Sequence, residues 1–382
     1  MKIIIAPDKF KGSLPSIAVC TAIQKGLQHA EKHLDIEYFP MADGGDGFAD
    51  VLKYYTNTVS QNIQSVDALG RSIDSSYELN TRQNTAIIEL ASCSGVAMLR
   101  IEERNPFVTS TYGTGLQIQD AIRKGAKKII LGIGGSATND AGTGILSAMG
   151  FRFLDEQGNS LRACGEMLGQ TAKIVLPKTL PQVQLDLACD VNNPLHGPEG
   201  AAMIFSEQKG ATPQQARLLD NGLRHFAGVI LEQTGKNVAD FPGAGAAGGI
   251  AAGLSAFLPV SIREGTEVIL SASDIRNRLG NADLVITGEG KIDQQSCRGK
   301  TISAITAMAK ERNLPVIAFC GKLELTESEY KDLGLELAVE ISDGSISEVQ
   351  SMINAHELLS RRVQSAFPLI VRIVENYKNE HR

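Results

Sequence analysis

Short apolar runs alternate with amphipathic stretches at both ends of the chain. Ile3, Ile4 and Ile5 stop at Pro7, a length that predicts one buried strand over residues 2–6. Val19, Ile23 and Leu27 then recur every fourth position, which predicts a helix ending near Ala30 and capped by Ser13. Ile36–Phe39 reads as a second strand, and Phe48, Val51 and Leu52 mark a second helix. The same grammar returns after Asp283, with strands at Leu284–Thr287, Val316–Phe319 and Leu337–Ile341. Helices are expected at Thr301–Glu311, Ile346–Leu359 and Val363–Val374, with Pro368 breaking or kinking the last. Two strands at the front and three at the back predict one five-stranded, doubly wound parallel sheet of the flavodoxin-like type.

The middle of the chain follows a different rhythm. Val59–Leu79 alternates around Leu69-Gly70-Arg71, as an antiparallel hairpin does. Further short strands are predicted at Ala86–Leu90, Phe151–Leu154, Lys173–Leu176 and Gln184–Ala188, and helices at Tyr112–Ile122 and Thr212–Gln233. The reading is an α/β protein in which residues 1–56 and 272–382 form the doubly wound domain. Residues 57–271 are then an inserted second α/β domain.

Composition narrows the function classes. A chain of 382 residues suits about two domains. No apolar run approaches the ~18 residues of a membrane span, and the opening run is too short for a signal-peptide core. A net charge of -6 and the lack of a basic, aromatic-laced patch speak against nucleic acid. The six cysteines are scattered without a C-x-x-C pair, which suits a reduced, cytoplasmic interior rather than zinc or disulfides.

Candidate chemistry lies in glycine-rich turns. Ile129–Gly144 passes from an apolar strand through Gly134-Gly135-Ser136 to a helix beginning near Ile145, an arrangement that aims N–H groups at a phosphate. Lys9 and Lys11, after the first strand, suit a phosphate or carboxylate at the edge where doubly wound sheets bind ligands. Asp43 and Asp46 suit Mg²⁺, while either one also suits an N-cap of the next helix. Gly299-Lys300-Thr301 resembles the end of a P-loop, but Gln294 stands where that motif requires glycine. Gly243–Gly248 satisfies G-x-G-x-x-G without a preceding strand, so a close-packed helix is the better reading. Asp190 follows a strand end, where it suits a general base or an Asx-turn before Pro194.

Taken in order, these segments resemble the bacterial type I glycerate kinase family over nearly the whole chain. The matching stretches are APDKFKGSL (6–14), MADGGDG (41–47), ELASCSG (89–95), STYGTG (110–115), GIGGSATNDAGTG (132–144), CDVNNPLHGPEGA (189–201), GAGAAGG (243–249), TGEGKID (287–293) and GKT (299–301). The resemblance implies transfer of the ATP γ-phosphoryl group to D-glycerate, giving 2-phosphoglycerate or, alternatively, 3-phosphoglycerate, with the active site in an interdomain cleft. For such a transfer the residue pattern leads us to expect that Gly134, Gly135, Ser136, Ala137, Thr138 and Asn139, with Lys300, hold ATP, and that Mg²⁺ bridges through Asp43 or Asp46. Asp190 orients or deprotonates the glycerate hydroxyl, and Lys9, Lys291 or Lys300 offsets developing charge. Asp8, Lys11, Ser13, Asn193, Glu289 and Asp293 are the candidates for holding substrate. Two other classes stay open at this point: a nicotinamide-dependent dehydrogenase built on Gly243–Gly248, and a non-enzymatic metabolite-binding regulator. The oligomeric state is not fixed by the sequence.

Overall fold

The structure is a computed structural model and describes residues 1–294, 296, 301–342 and 344–380. Its strands are β1 (Lys2–Ile5), β2 (Asp35–Tyr38), β3 (Val59–Val66), β4 (Ser72–Asn80), β5 (Thr85–Glu89), β6 (Lys128–Gly132) and β7 (Arg152–Leu154). They continue with β8 (Ser160–Leu161), β9 (Lys173–Val175), β10 (Gln184–Ala188), β11 (Val260–Arg263), β12 (Leu284–Ile292), β13 (Val316–Leu323) and β14 (Leu337–Glu340). The chain divides into two units, Met1–Asp43 with Thr266–Arg382, and Gly44–Gly265.

The first unit holds a parallel sheet in the order β14-β13-β12-β1-β2, the flavodoxin-like arrangement expected. Ile3, Ile4 and Ile5 are fully buried because helices cover both faces of such a sheet, which is why the strand reads as an unbroken apolar run. Helix Ser16–Ala30 buries Val19, Ile23 and Leu27. Ser13 does not cap it: the N-cap position is Pro15, and Ser13 Oγ donates to the Met352 carbonyl at 2.6 Å. The C-terminal helix Ala355–Glu380 continues through Pro368, so of the expected break or kink the break does not occur. Pro368 is exposed, and so is Gln364, whose carbonyl a proline four positions on leaves without its helical partner. The stripe Leu359, Val363, Ile370 and Val374 holds the helix down on both sides of it. β12 and β13 outrun their predicted lengths because they pair with each other as far as Ile292 and Leu323.

The second unit carries a mixed sheet, β11-β10-β6-β5-β4-β3, in which β3, β4 and β5 run antiparallel and β5, β6, β10 and β11 parallel. A small sheet, β8-β7-β9, lies apart from it in the same unit. Helix Pro213–Thr234 opens with a capping box between Thr212 and Gln215. Helix Phe48–Tyr55 belongs to this unit, so the crossing falls after Asp43 rather than near residue 57. The cause is local: Glu89, at the end of β5, accepts the Gly47 N–H at 3.0 Å and the Ala49 N–H at 3.3 Å. Glu89 therefore does the capping that the sequence offered to Asp43 or Asp46.

Candidate active site

In the second unit β6 delivers the chain into a loop that continues to Gly142 before helix Thr143–Ala148 begins. The N–H groups at that helix start are already taken. Asp140, fully buried, accepts from Thr111 N and Oγ1 at 2.8 Å each, from Gly142 N at 3.1 Å and from Gly144 N at 3.2 Å. A carboxylate of the protein thus occupies the place where the sequence suggested a ligand phosphate. Burial raises the Asp140 carboxyl above its usual range, and these four donors oppose the rise.

What remains for a ligand is the tip of the loop. Gly134 donates to the Gly44 carbonyl at 3.1 Å and Ala137 to the Ser94 carbonyl at 2.8 Å. Among the described residues, no protein acceptor takes the N–H of Gly135 or Ser136. Gly135 is exposed, whereas Ala137, Thr138 and Asn139 are buried behind it. Gly135 has φ +69°, and a Cβ there would lie 2.7 Å from Asp46 Oδ1, so the Asp46 carboxylate stands at the tip.

Two further elements support the loop. Lys209 is buried and donates from Nζ to Ser136 Oγ at 2.8 Å and to the Thr138 carbonyl at 2.7 Å. Burial pushes its ammonium down from 10.5 to about 7, with the Asp140 carboxylate opposing. Gly243–Gly248 leads into helix Ala246–Ser255, where Ala247, Gly248 and Gly249 all take left-handed φ. A Cβ on Gly248 would sit 2.3 Å from the Thr138 carbonyl oxygen, and the Gly248 carbonyl accepts from Ala141 N at 3.0 Å. The glycines let a helix back directly onto the loop. They do not form a dinucleotide fingerprint.

Asp190 leaves the same sheet edge, because β10 and β6 are parallel neighbours with Ala188 opposite Gly132. Its Oδ1 accepts the Gly265 N–H at 2.8 Å. Asn193 uses its side-chain amide as a staple, donating to the Glu199 carbonyl at 2.8 Å.

In the first unit the groups gather at the carboxyl edge of the parallel sheet, around a cavity of about 650 Å³. Lys9 Nζ pairs with Asp43 Oδ1 at 2.7 Å and lies 3.7 Å from Asp8 Oδ1. Asp8 also accepts from Lys9 N at 2.6 Å and from Thr301 Oγ1 at 3.0 Å, which joins the first motif to the last. Burial raises the Asp8 carboxyl to about 6; Lys9 opposes this and Asp43 adds to it. Lys291 sits between Glu324 at 2.7 Å and Asp293 at 3.2 Å, and these partners hold its ammonium above the usual lysine value. Glu289 accepts from Ser296 Oγ, and Lys11 is exposed. Lys300, with Arg298 and Gly299, lies outside the described residues.

Among the described residues no cluster of three His, Cys, Asp or Glu side chains forms a metal cage. Mg²⁺ does not need one, since it binds through one or two carboxylates together with phosphate oxygens and water. Asp46, beside a loop tip with N–H groups to offer an anion, fits that mode.

Asp140, Glu89 and Lys209 escaped the sequence reading. Asp140 and Glu89 lie inside or beside motif runs already singled out. Lys209 sits in the polar run Ser206–Gly210, which reads as a solvated turn. Its burial has a measurable consequence. The folded value lies below the unfolded one, so between about pH 7 and 10.5 the unfolded chain binds the extra proton and stability rises with pH. Urea denaturation at several pH values should show that rise in the wild type relative to Lys209→Met. A constant difference would mean Lys209 titrates normally.

Lysine–carboxylate pairs at the carboxyl edge of a parallel sheet in one unit, and a glycine loop with free N–H groups beside a carboxylate in the other, are features that suit a small-molecule phosphotransferase. The chain belongs to the glycerate kinase family, whose model matches residues 3–371. It is 40% identical over 366 residues to a glycerate kinase of Halalkalibacterium halodurans, covering 95% of this chain and 96% of the other. It is 36% identical over 379 residues to the glycerate 2-kinase of Escherichia coli, covering 98% and 97%. The crystal structure of a protein described as glycerate kinase 2 from Salmonella typhimurium matches with a TM-score of 0.81 at 36% identity, covering 100% of this chain and 99% of that one. Members of the family transfer a phosphoryl group to an alcohol, which rules out the dehydrogenase and regulator readings.

Proposed function

We propose that this enzyme phosphorylates D-glycerate with ATP to give 2-phosphoglycerate, in the cytoplasm. The regiochemistry rests on the likeness to the Escherichia coli glycerate 2-kinase. The observation that carries the site is the tip Gly135–Ser136, where exposed Gly135 precedes buried Ser136 and neither N–H has a protein acceptor among the described residues, next to Asp46. In this reading the tip holds an ATP phosphate, with the buried stretch Ala137–Asn139 shaping it from behind. Mg²⁺, held by Asp46 or Asp43, would supply charge neutralisation to the phosphates.

Asp190 accepts the proton of the glycerate hydroxyl as its oxygen bonds to the γ-phosphorus, and the bond from that phosphorus to the β-phosphate oxygen breaks. Lys9 and Lys291 offset charge on the transferred group. Asp8, Lys11, Ser13, Glu289 and Asp293 of the first unit and Asn193 of the second are the proposed substrate-binding residues, the stapled Asn193 acting by fixing its own turn.

A coupled ADP-release assay with D-glycerate, followed by NMR of the product, tests the proposal. Phosphorus coupled to the C2 proton supports it. Coupling to the C3 protons would make the enzyme a 3-kinase, and no glycerate-dependent ADP would overturn the substrate.

A further inference from the structure

Lys209 has no evident part in the chemistry, yet it is the most heavily buried lysine described here, 3% exposed. No carboxylate described in the structure lies within ion-pair distance of it. Burying a lysine amine without a close counter-ion is costly, and an apolar side chain of similar volume would fill the space without that penalty. Its Nζ instead reaches two atoms of one loop, Ser136 Oγ and the Thr138 carbonyl. These lie on the buried side of the tip.

A serine hydroxyl has one hydrogen to give and two acceptor positions. With Lys209 donating into one acceptor position from behind, the hydroxyl hydrogen is left to point elsewhere. A phosphate oxygen, which can only accept, needs such a donor. The second bond, to the Thr138 carbonyl, ties down the peptide that follows the tip and fixes where Ser136 stands.

We propose that Lys209 is a positioning residue for the anion that binds at Gly135–Ser136, acting through Ser136 by holding its hydroxyl as a donor towards that anion. This rests on the tip being a substrate phosphate site, and its test separates the two ideas. The KM values for ATP and for D-glycerate, kcat and thermal stability are measured for wild type, Lys209→Met, Ser136→Ala and the double variant.

Each single variant should raise the KM of one substrate about tenfold, the scale of one charge-assisted hydrogen bond. The double variant should be no worse than Ser136→Ala, because the lysine works through the serine. A rise confined to ATP supports both readings. A rise confined to glycerate keeps the positioning role and overturns the ATP assignment of the tip. If melting falls while neither KM moves, or if the two losses multiply, Lys209 is a structural brace and the proposal fails. Should Lys209→Met not fold, Ser136→Ala alone decides, since unchanged KM values there overturn the proposal.

Discussion

Asp190→Asn should lower kcat by about 10²–10⁴-fold, the range for losing a positioned general base. The KM for ATP should change little and the melting temperature should hold. The structure explains why the fold survives: Asp190 Oδ1 accepts the Gly265 N–H at 2.8 Å, and an asparagine oxygen can take the same bond. Asp190→Ala removes that acceptor as well, so it should lose the same turnover and also about 1 kcal/mol of stability. The pair therefore separates chemistry from bracing. Near-normal turnover in Asp190→Asn, with reduced stability only in Asp190→Ala, would leave Asp190 as the brace of its own turn, the alternative its position before Pro194 already offered.

What the sequence reveals and what it hides divides along physical lines. β1 was legible because burial on both faces of a parallel sheet forces an unbroken apolar run. The helix Ser16–Ala30 was legible because its buried stripe repeats every fourth residue. Pro368 misled because a proline's local cost is the same whether it faces water or the core, and only the fold shows that this one is exposed.

Within the site, the motifs located the loops but not their internal roles. The glycines of Ile129–Gly144 pointed to an anion. Nothing local reveals that Asp140 fills the helix start, or that Glu89 caps the helix after Asp46. Lys209 was out of reach for the plainest reason, since its partner Ser136 lies 73 positions away. Contacts of that range leave no periodicity behind.

The second large effect concerns a glycine with no chemistry of its own. Gly253→Ala should destabilise the protein by about 3 kcal/mol or more, the upper range for overpacking a core. In a chain of 382 residues, at about 2.1 cal/mol/K of unfolding entropy per residue, that lowers the melting temperature by roughly 4 °C. Alanine is the better helix former, so propensity alone predicts the opposite sign. Geometry decides: a Cβ at Gly253 would lie 1.8 Å from the Ala141 carbonyl oxygen, a backbone atom that cannot swing aside. Ala141 already holds φ +49° and donates its N–H to the Gly248 carbonyl, so it is pinned between the loop and this helix. Pushing it away shifts Asp140 and the tip beyond it, and KM should rise for whichever substrate binds at Gly135–Ser136. Gly228→Ala is the control. It sits on the exposed face of helix Pro213–Thr234 with nothing within 4 Å of the added carbon, and should stabilise by about 0.5–1 kcal/mol. Calorimetry on the two variants gives opposite shifts if helix Ala246–Ser255 clamps the loop by contact. A Gly253→Ala protein as stable as wild type would mean the loop yields freely, and with it would go the view that this helix sets the shape of the phosphate site.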